Sequence, residues 1–164
     1  MKIITINNKK ESKLLRRETR IVDINSLKKG ATRQLIEELR VIMKKDAGIG
    51  LSANQVGLDL RLFIAEVPAD RGRNNKFYAI FNPEIIKKSA ETINLEEGCL
   101  SIPGIFGLVA RPEKITLIGF DVNGKKIKIK AWGLLARVFQ HEVDHLNGIL
   151  FTQKAKELKK ASTQ

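Results

Sequence analysis

A chain of 164 residues with 43% hydrophobic content is sized for one ordinary globular domain with a buried core. No apolar run nears the roughly 20 residues a membrane-spanning helix needs, and a lone cysteine, Cys99, excludes an intramolecular disulfide. The 30 Lys and Arg against 18 Asp and Glu give +12, a field that draws anions and RNA, but 5% aromatic content is too little to read bases by stacking, so no sequence-specific nucleic-acid partner is expected.

The first 24 residues carry few regular signals. Ile3, Ile4 and Ile6 run straight into Asn7, Asn8, Lys9 and Lys10, too short an apolar stretch for a signal peptide, and Glu11 and Glu18 argue against a transit peptide. A cytoplasmic protein is the expectation, with an irregular arm anchored by Leu14 and Leu15. Helical signal begins around Ser26 to Ala31. Leu35, Ile36, Leu39, Ile42 and Met43 then form one apolar stripe, and Gly48 suits the stop.

Gly48 to Gly57 reads GIGLSANQVG. Alternate glycines let a backbone approach a ligand lying alongside it. A phosphate loop is excluded because no Lys-Ser/Thr pair follows, and by itself the stretch is more simply a turn. Leu60 to Val67 predicts a buried strand, 68–76 a polar loop, and Phe77 to Asn82 a strand ended by Pro83. Short strand pieces follow at Ile85–Ile86 and Thr92–Ile93, about a Lys87–Lys88 turn. Glu97 to Gly104, EGCLSIPG, has a loop context. Leu108 to Ala110 and Ile115 to Val122 are further strands, and Asn123-Gly124 is the clearest hairpin turn. In the return strand Ile127, Ile129 and Ala131 alternate with Lys126, Lys128 and Lys130, giving one buried and one basic face.

The last helix is predicted over 133–147, with Leu134, Leu135, Val138, Phe139 and Leu146 on its apolar side and Gly148 ending it. Ile149 to Phe151 predicts a final strand, and the Lys-rich 153–164 a solvated tail. One helix, a run of short strands and one more helix make an α+β fold, mostly antiparallel, packed around the C-terminal helix.

That helix carries the only two histidines, His141 and His145, in Gln140–Gly148, QHEVDHLNG. Four residues apart on a helix, both imidazoles fall on one face, with Glu142 beside them: a spacing that holds one metal ion next to a proton-carrying carboxylate. A hydrolytic centre needs a third protein ligand and an open position. No third histidine exists and only Glu157 lies downstream as an acid, so Cys99 is the soft ligand available.

Together the three segments are similar to the motifs of the peptide deformylase family: Gly48 to Gln55 resembles its glycine loop, Glu97 to Ser101 its EGCLS segment, and Gln140 to Gly148 its QHExDHLxG segment. Ser52 stands where that family usually has alanine, a small-for-small change expected to be tolerated. The resemblance implies an enzyme that removes the N-formyl group from the N-terminal methionine of new polypeptides. It implies Cys99, His141 and His145 as ligands of one divalent metal, commonly Fe2+, with Zn2+, Ni2+ or Co2+ as alternatives. It also implies Glu142 as the proton carrier, and the Gln55 amide and Leu100 backbone N–H as donors to the formyl oxygen. Ile49 and Gly50 would lie along the peptide, Leu134 and Val138 would line the methionine pocket, and Arg111 would pair with Glu97.

Two other classes compete. A general HExxH peptidase lacks its usual downstream ligand here. A basic RNA- or ribosome-binding protein with a structural metal would need a fourth Cys or His. Transient contact with the ribosome is compatible with the first class as well, through the basic surface.

Overall fold

A computed structural model describes residues 1–27, 29–68 and 75–161. The fold is α+β, as the element order implied. Among the described residues three α-helices, α1 (Lys9–Leu15), α2 (Lys29–Lys45) and α3 (Gly133–Leu146), accompany eight strands. Strands β1 (Gly50–Ser52), β2 (Leu62–Val67), β3 (Lys76–Lys88), β6 (Lys114–Phe120) and β7 (Lys126–Trp132) form one antiparallel sheet in the order β1-β2-β3-β6-β7. Strands β4 (Thr92–Cys99), β5 (Ile102–Pro112) and β8 (Leu158–Lys160) form a second, in the order β4-β5-β8.

Helix α3 packs against both sheets. Ala136, Val138, Phe139, Val143 and Leu146 join Phe63, Ala65, Ile80, Ile115 and Leu117 in one apolar core. A helix buried on several sides must be apolar over much of its circumference, and from Ala136 to Leu146 every residue but His141 is buried. Gly148 closes α3 at φ 71°, and its N–H donates to the His145 carbonyl at 3.0 Å. A Cβ there would also overlap the Arg16 carbonyl, so glycine is required twice over. Helix α2 buries Ile36, Leu39 and Met43 in a second cluster with Leu51 of β1 and Leu62 and Ile64 of β2. Its left-handed terminal residue is Ala47, at φ 54°; Gly48 supplies only an N–H to the Met43 carbonyl, at 2.9 Å.

Several expectations are corrected. The N-terminal arm contains α1, capped by Asn8, whose side chain accepts from Lys10 and Glu11. Pro83 does not end its strand: β3 continues to Lys88 through a register shift between Phe81 and Glu84. That irregularity is where a strand tolerates a residue without an N–H. Lys87 and Lys88 are therefore strand residues, and the turn follows them. Glu97, Gly98 and Cys99 close β4 rather than sitting in a loop. Ile149 to Phe151 forms no strand; a 3-10 turn covers Phe151–Gln153 instead. The tail contributes β8, paired on β5 through Ile105↔Lys160 and Gly107↔Leu158. Most of the predicted 68–76 loop, at 69–74, and the last three tail positions, 162–164, lie outside the described residues, as does Lys28 within the predicted start of α2.

Candidate active site

The site forms where β1, the end of β4 and one face of α3 meet. Leu134, Arg137, Val138, His141 and Glu142 recur at three- and four-residue steps along α3 and all line one cleft of about 480 Å³. Across from them lie Ile49, Gly50, Gln55, Cys99 and Leu100. Every ligand, proton-carrier, oxyanion and substrate candidate named from the sequence therefore reaches this cleft except His145, which lies fully buried beneath it; Arg111 and Ser52 do not line it.

Backbone devices bring the walls together. The register of β4 on β5 shifts between Gly98 and Cys99, which re-aims the cysteine at the strand's end. Gly50 lets β1 press against α3: a Cβ there would overlap Glu142 Oε1 and crowd Val138 Cγ1. The stretch that read most simply as a turn is a short strand followed by a 3-10 turn, Ala53–Val56. Within it Gln55 Oε1 accepts from the Ser52 N–H at 2.9 Å, so its Nε2 is directed to Ser101 Oγ at 3.2 Å and Cys99 Sγ at 3.6 Å.

Cys99, His141 and His145 each offer one ligand atom, and these atoms lie within 4.8 Å of one another. Cys99 Sγ and His145 Nε2 are 3.1 Å apart. Tetrahedral ligands about one zinc-sized ion sit roughly 3.4–3.6 Å from each other, so the set fits a single divalent cation. Among the described residues, one sulfur and two imidazole nitrogens with no fourth side chain make the donor set of an open site, not a sealed structural one.

A charged lattice holds the set in place. His141 Nδ1 is 3.0 Å from Glu97 Oε2, leaving Nε2 for the ligand position. Arg111 grips the Glu97 carboxylate from Nε at 2.6 Å and Nη2 at 2.9 Å, and its Nη1 reaches Asp144 Oδ2 at 2.7 Å. Lys154 Nζ meets the same Asp144 carboxylate at 2.6 Å. Arg137 Nη1 adds a 2.6 Å contact to Glu97 Oε1, and its Nη2 donates to the Ile93 carbonyl. Sequence reasoning placed Arg111 beside Glu97 but missed Arg137, Asp144 and Lys154. Arg137 stands four residues before His141 and Asp144 three after, a spacing that carried the signal.

Burial opposes ionisation at Cys99, yet His145 and His141 beside it bring the thiol down to about 5. Burial likewise disfavours a charged His141, but Cys99 and Glu97 raise it to about 10. Thiol and imidazole thus favour each other's charged form, the ligand state of the thiol, and a bound cation would take the place of the proton they share. Burial works against an ionised Glu97 as well, but His141 and Arg111 hold its carboxyl well below the usual range. Burial pushes Glu142 upward, against the histidines and the Ser52 hydroxyl, which favour the ionised form.

Residues 1–161 match the family described as polypeptide deformylase. The chain is 39% identical over 160 residues to the peptide deformylase of Thermodesulfovibrio yellowstonii, covering 98% of this chain and 93% of that one. It is 40% identical over 155 residues to that of Symbiobacterium thermophilum, covering 94% and 68%. Among solved structures, a class I type b peptide deformylase from Acinetobacter baumannii superposes with TM-score 0.85 at 31% identity, covering 94% of this chain and 97% of that one. Arabidopsis thaliana peptide deformylase 1B superposes with TM-score 0.84 at 34% identity, covering 96% and 82%.

Proposed function

The chain belongs to the polypeptide deformylase family, metal-dependent hydrolases that remove the N-formyl group from new polypeptides, and we propose that Cys99, His141 and His145 hold its metal while Glu142 carries the proton. The observation supporting this most is the convergence of the lone thiol and both imidazoles within 4.8 Å, with Glu142 on the same wall of the cleft. Residues 1–164 would act as one catalytic domain.

A bound divalent ion supplies Lewis acidity and lowers the pKa of water toward neutrality. The chain's own residues do the rest. Glu142 takes a proton from the attacking water as its oxygen bonds to the formyl carbon, then delivers that proton to the amine nitrogen as the C–N bond breaks and formate leaves. A carboxyl raised by burial suits both duties, since it takes and returns a proton at closer to neutral pH. The Gln55 Nε2 amide and the Leu100 backbone N–H are the donors for charge growing on the formyl oxygen. Gln55 is prepared for this because its other amide end is already fixed by Ser52. Ile49 and Gly50 offer an extended backbone edge to the peptide, while Leu134 and Val138, one turn apart, make an apolar seat for the methionine side chain. A formyl carbon bears only hydrogen, so a cleft closed by the ligand cluster accepts it and rejects bulkier acyl groups.

Ferrous iron is the ion we assign, zinc, nickel and cobalt being compatible with the same ligands. The substrates are N-formylmethionyl nascent peptides, met in the cytoplasm. Exposed Lys126, Lys128 and Lys130 on the outer face of β7 suit a transient contact with the ribosome. Association in a sedimentation assay should weaken steeply between 50 and 200 mM salt, by about 10²-fold for a handful of phosphate contacts; a flat response would remove that contact. The main test is formate release from a formyl-Met peptide under anaerobic conditions. Formate should appear with no internal cleavage, and internal cleavage without formate would make the chain a peptidase.

A further inference from the structure

Ser52 ends β1 and is fully buried. Its hydroxyl lies 2.7 Å from Glu142 Oε2 and 3.0 Å from the Glu142 backbone carbonyl. A hydroxyl has one proton to give. The carbonyl sits inside α3, where the helix provides its own N–H donor, whereas the ionised carboxylate is the stronger acceptor and the shorter contact. The other carboxylate oxygen, Oε1, faces Gly50, where any Cβ would overlap it, so the cleft wall leaves that oxygen uncovered by a side chain.

We infer that Ser52 is a positioning residue for deformylation: its hydroxyl ties Oε2 so that Oε1 is presented to the water. This rests on the role given to Glu142 above. The serine acts on two groups by two separate routes. Its side chain holds Glu142, and its backbone N–H holds Gln55 Oε1. Only the first route depends on residue type, so a substitution isolates it. Alanine there would leave the backbone bond in place and remove the donor. A free carboxylate in the same pocket would spread over several rotamers and would meet the water in the right geometry less often.

Although alanine is usual here in the family, Ser52 is the side-chain hydrogen-bond partner of the Glu142 carboxylate in this chain, so Ser52→Ala should lower kcat about tenfold, the order expected for one hydrogen bond to a charged group. KM should change less than twofold, and bound metal should stay at the wild-type level. Ser52→Cys, which is slightly larger and gives only a weak donor, should show the same loss; alanine removes volume and cysteine adds it, so a shared loss separates donor from packing. In a Glu142→Gln background Ser52→Ala should cost nothing further, because the serine acts through the carboxylate. Wild-type kcat in both Ser52 variants, or an undiminished tenfold loss in the Glu142→Gln background, would overturn the inference. Glu142→Gln with wild-type turnover would instead sink the proton role itself, whatever Ser52 does.

Discussion

Glu142→Gln should lower kcat roughly 10²–10⁴-fold, the usual span for loss of a general acid–base group, while metal content stays unchanged. The two halves of that result depend on different atoms. Glu142 is not among the three ligand donors, so an amide in its place leaves the cation's seat intact. The amide still fills the buried space beside Gly50 and can accept from Ser52 Oγ, so the fold has no reason to give way. What it cannot do is take a proton from water. Steady-state kinetics with metal analysis of the same preparation reads both halves. Near-normal turnover would place the base elsewhere, and lost metal would mean that the carboxylate is itself a ligand.

Glu97→Ala should cost about 3–5 kcal/mol of folding stability, the penalty for stranding a buried charge. Glu97 is 6% exposed and receives Arg111, Arg137 and His141 together. Without it Arg111 keeps only Asp144, and Arg137 keeps only backbone carbonyls. His141 also loses the group that fixes its ring, which should weaken metal binding about 10–100-fold. Urea unfolding of the metal-free variant isolates the first effect, and metal titration of the folded fraction reads the second. Because Glu97 is held below its unfolded value, its stabilisation is present above that value, near pH 4.5, and is lost as pH falls through the folded value. Glu97→Ala should therefore flatten the acid limb of stability as well as lower its plateau. A variant as stable as the parent would show that the Arg111–Asp144 side of the lattice is self-sufficient.

Much of this was written in local pattern. The period of α3, the alternation of β7 and the Asn123-Gly124 turn follow from side-chain spacing, and the structure contains all three. The convergence of Cys99, His141 and His145 was legible because the chain has two histidines and one cysteine, which left little to choose for the proposed ligands. Elements held by backbone bonds were not legible. β8 keeps Leu158 half exposed and is attached to β5 by main-chain pairing, including the Ala161 N–H on the Gly104 carbonyl at 2.8 Å, which no hydrophobic pattern records. α1 buries a single side chain, Leu15, so seven residues of helix carried almost no periodicity. Pro83 read as a strand end because the register shift that admits it depends on Asn82, at φ 47°, whose amide pairs with both backbone groups of Val22. The buried lattice around Glu97 gathers β4, β5 and α3, and its members lie up to 47 positions apart along the chain before Lys154 joins from beyond the helix. Ser52 was legible as a small residue; that its hydroxyl meets Glu142 depends on β1 packing across α3.

The most direct measurement is an anaerobic titration of metal-free chain with ferrous ion, reading bound metal and formate release together in the wild type and in Cys99→Ala. The wild type should gain activity in proportion to bound ion and break at one ion per chain, and Cys99→Ala should bind no ion tightly and release no formate. Formate release by metal-free chain, or a Cys99→Ala protein that still binds one ion with wild-type affinity, would contradict the assignment of Cys99, His141 and His145 to a single catalytic metal.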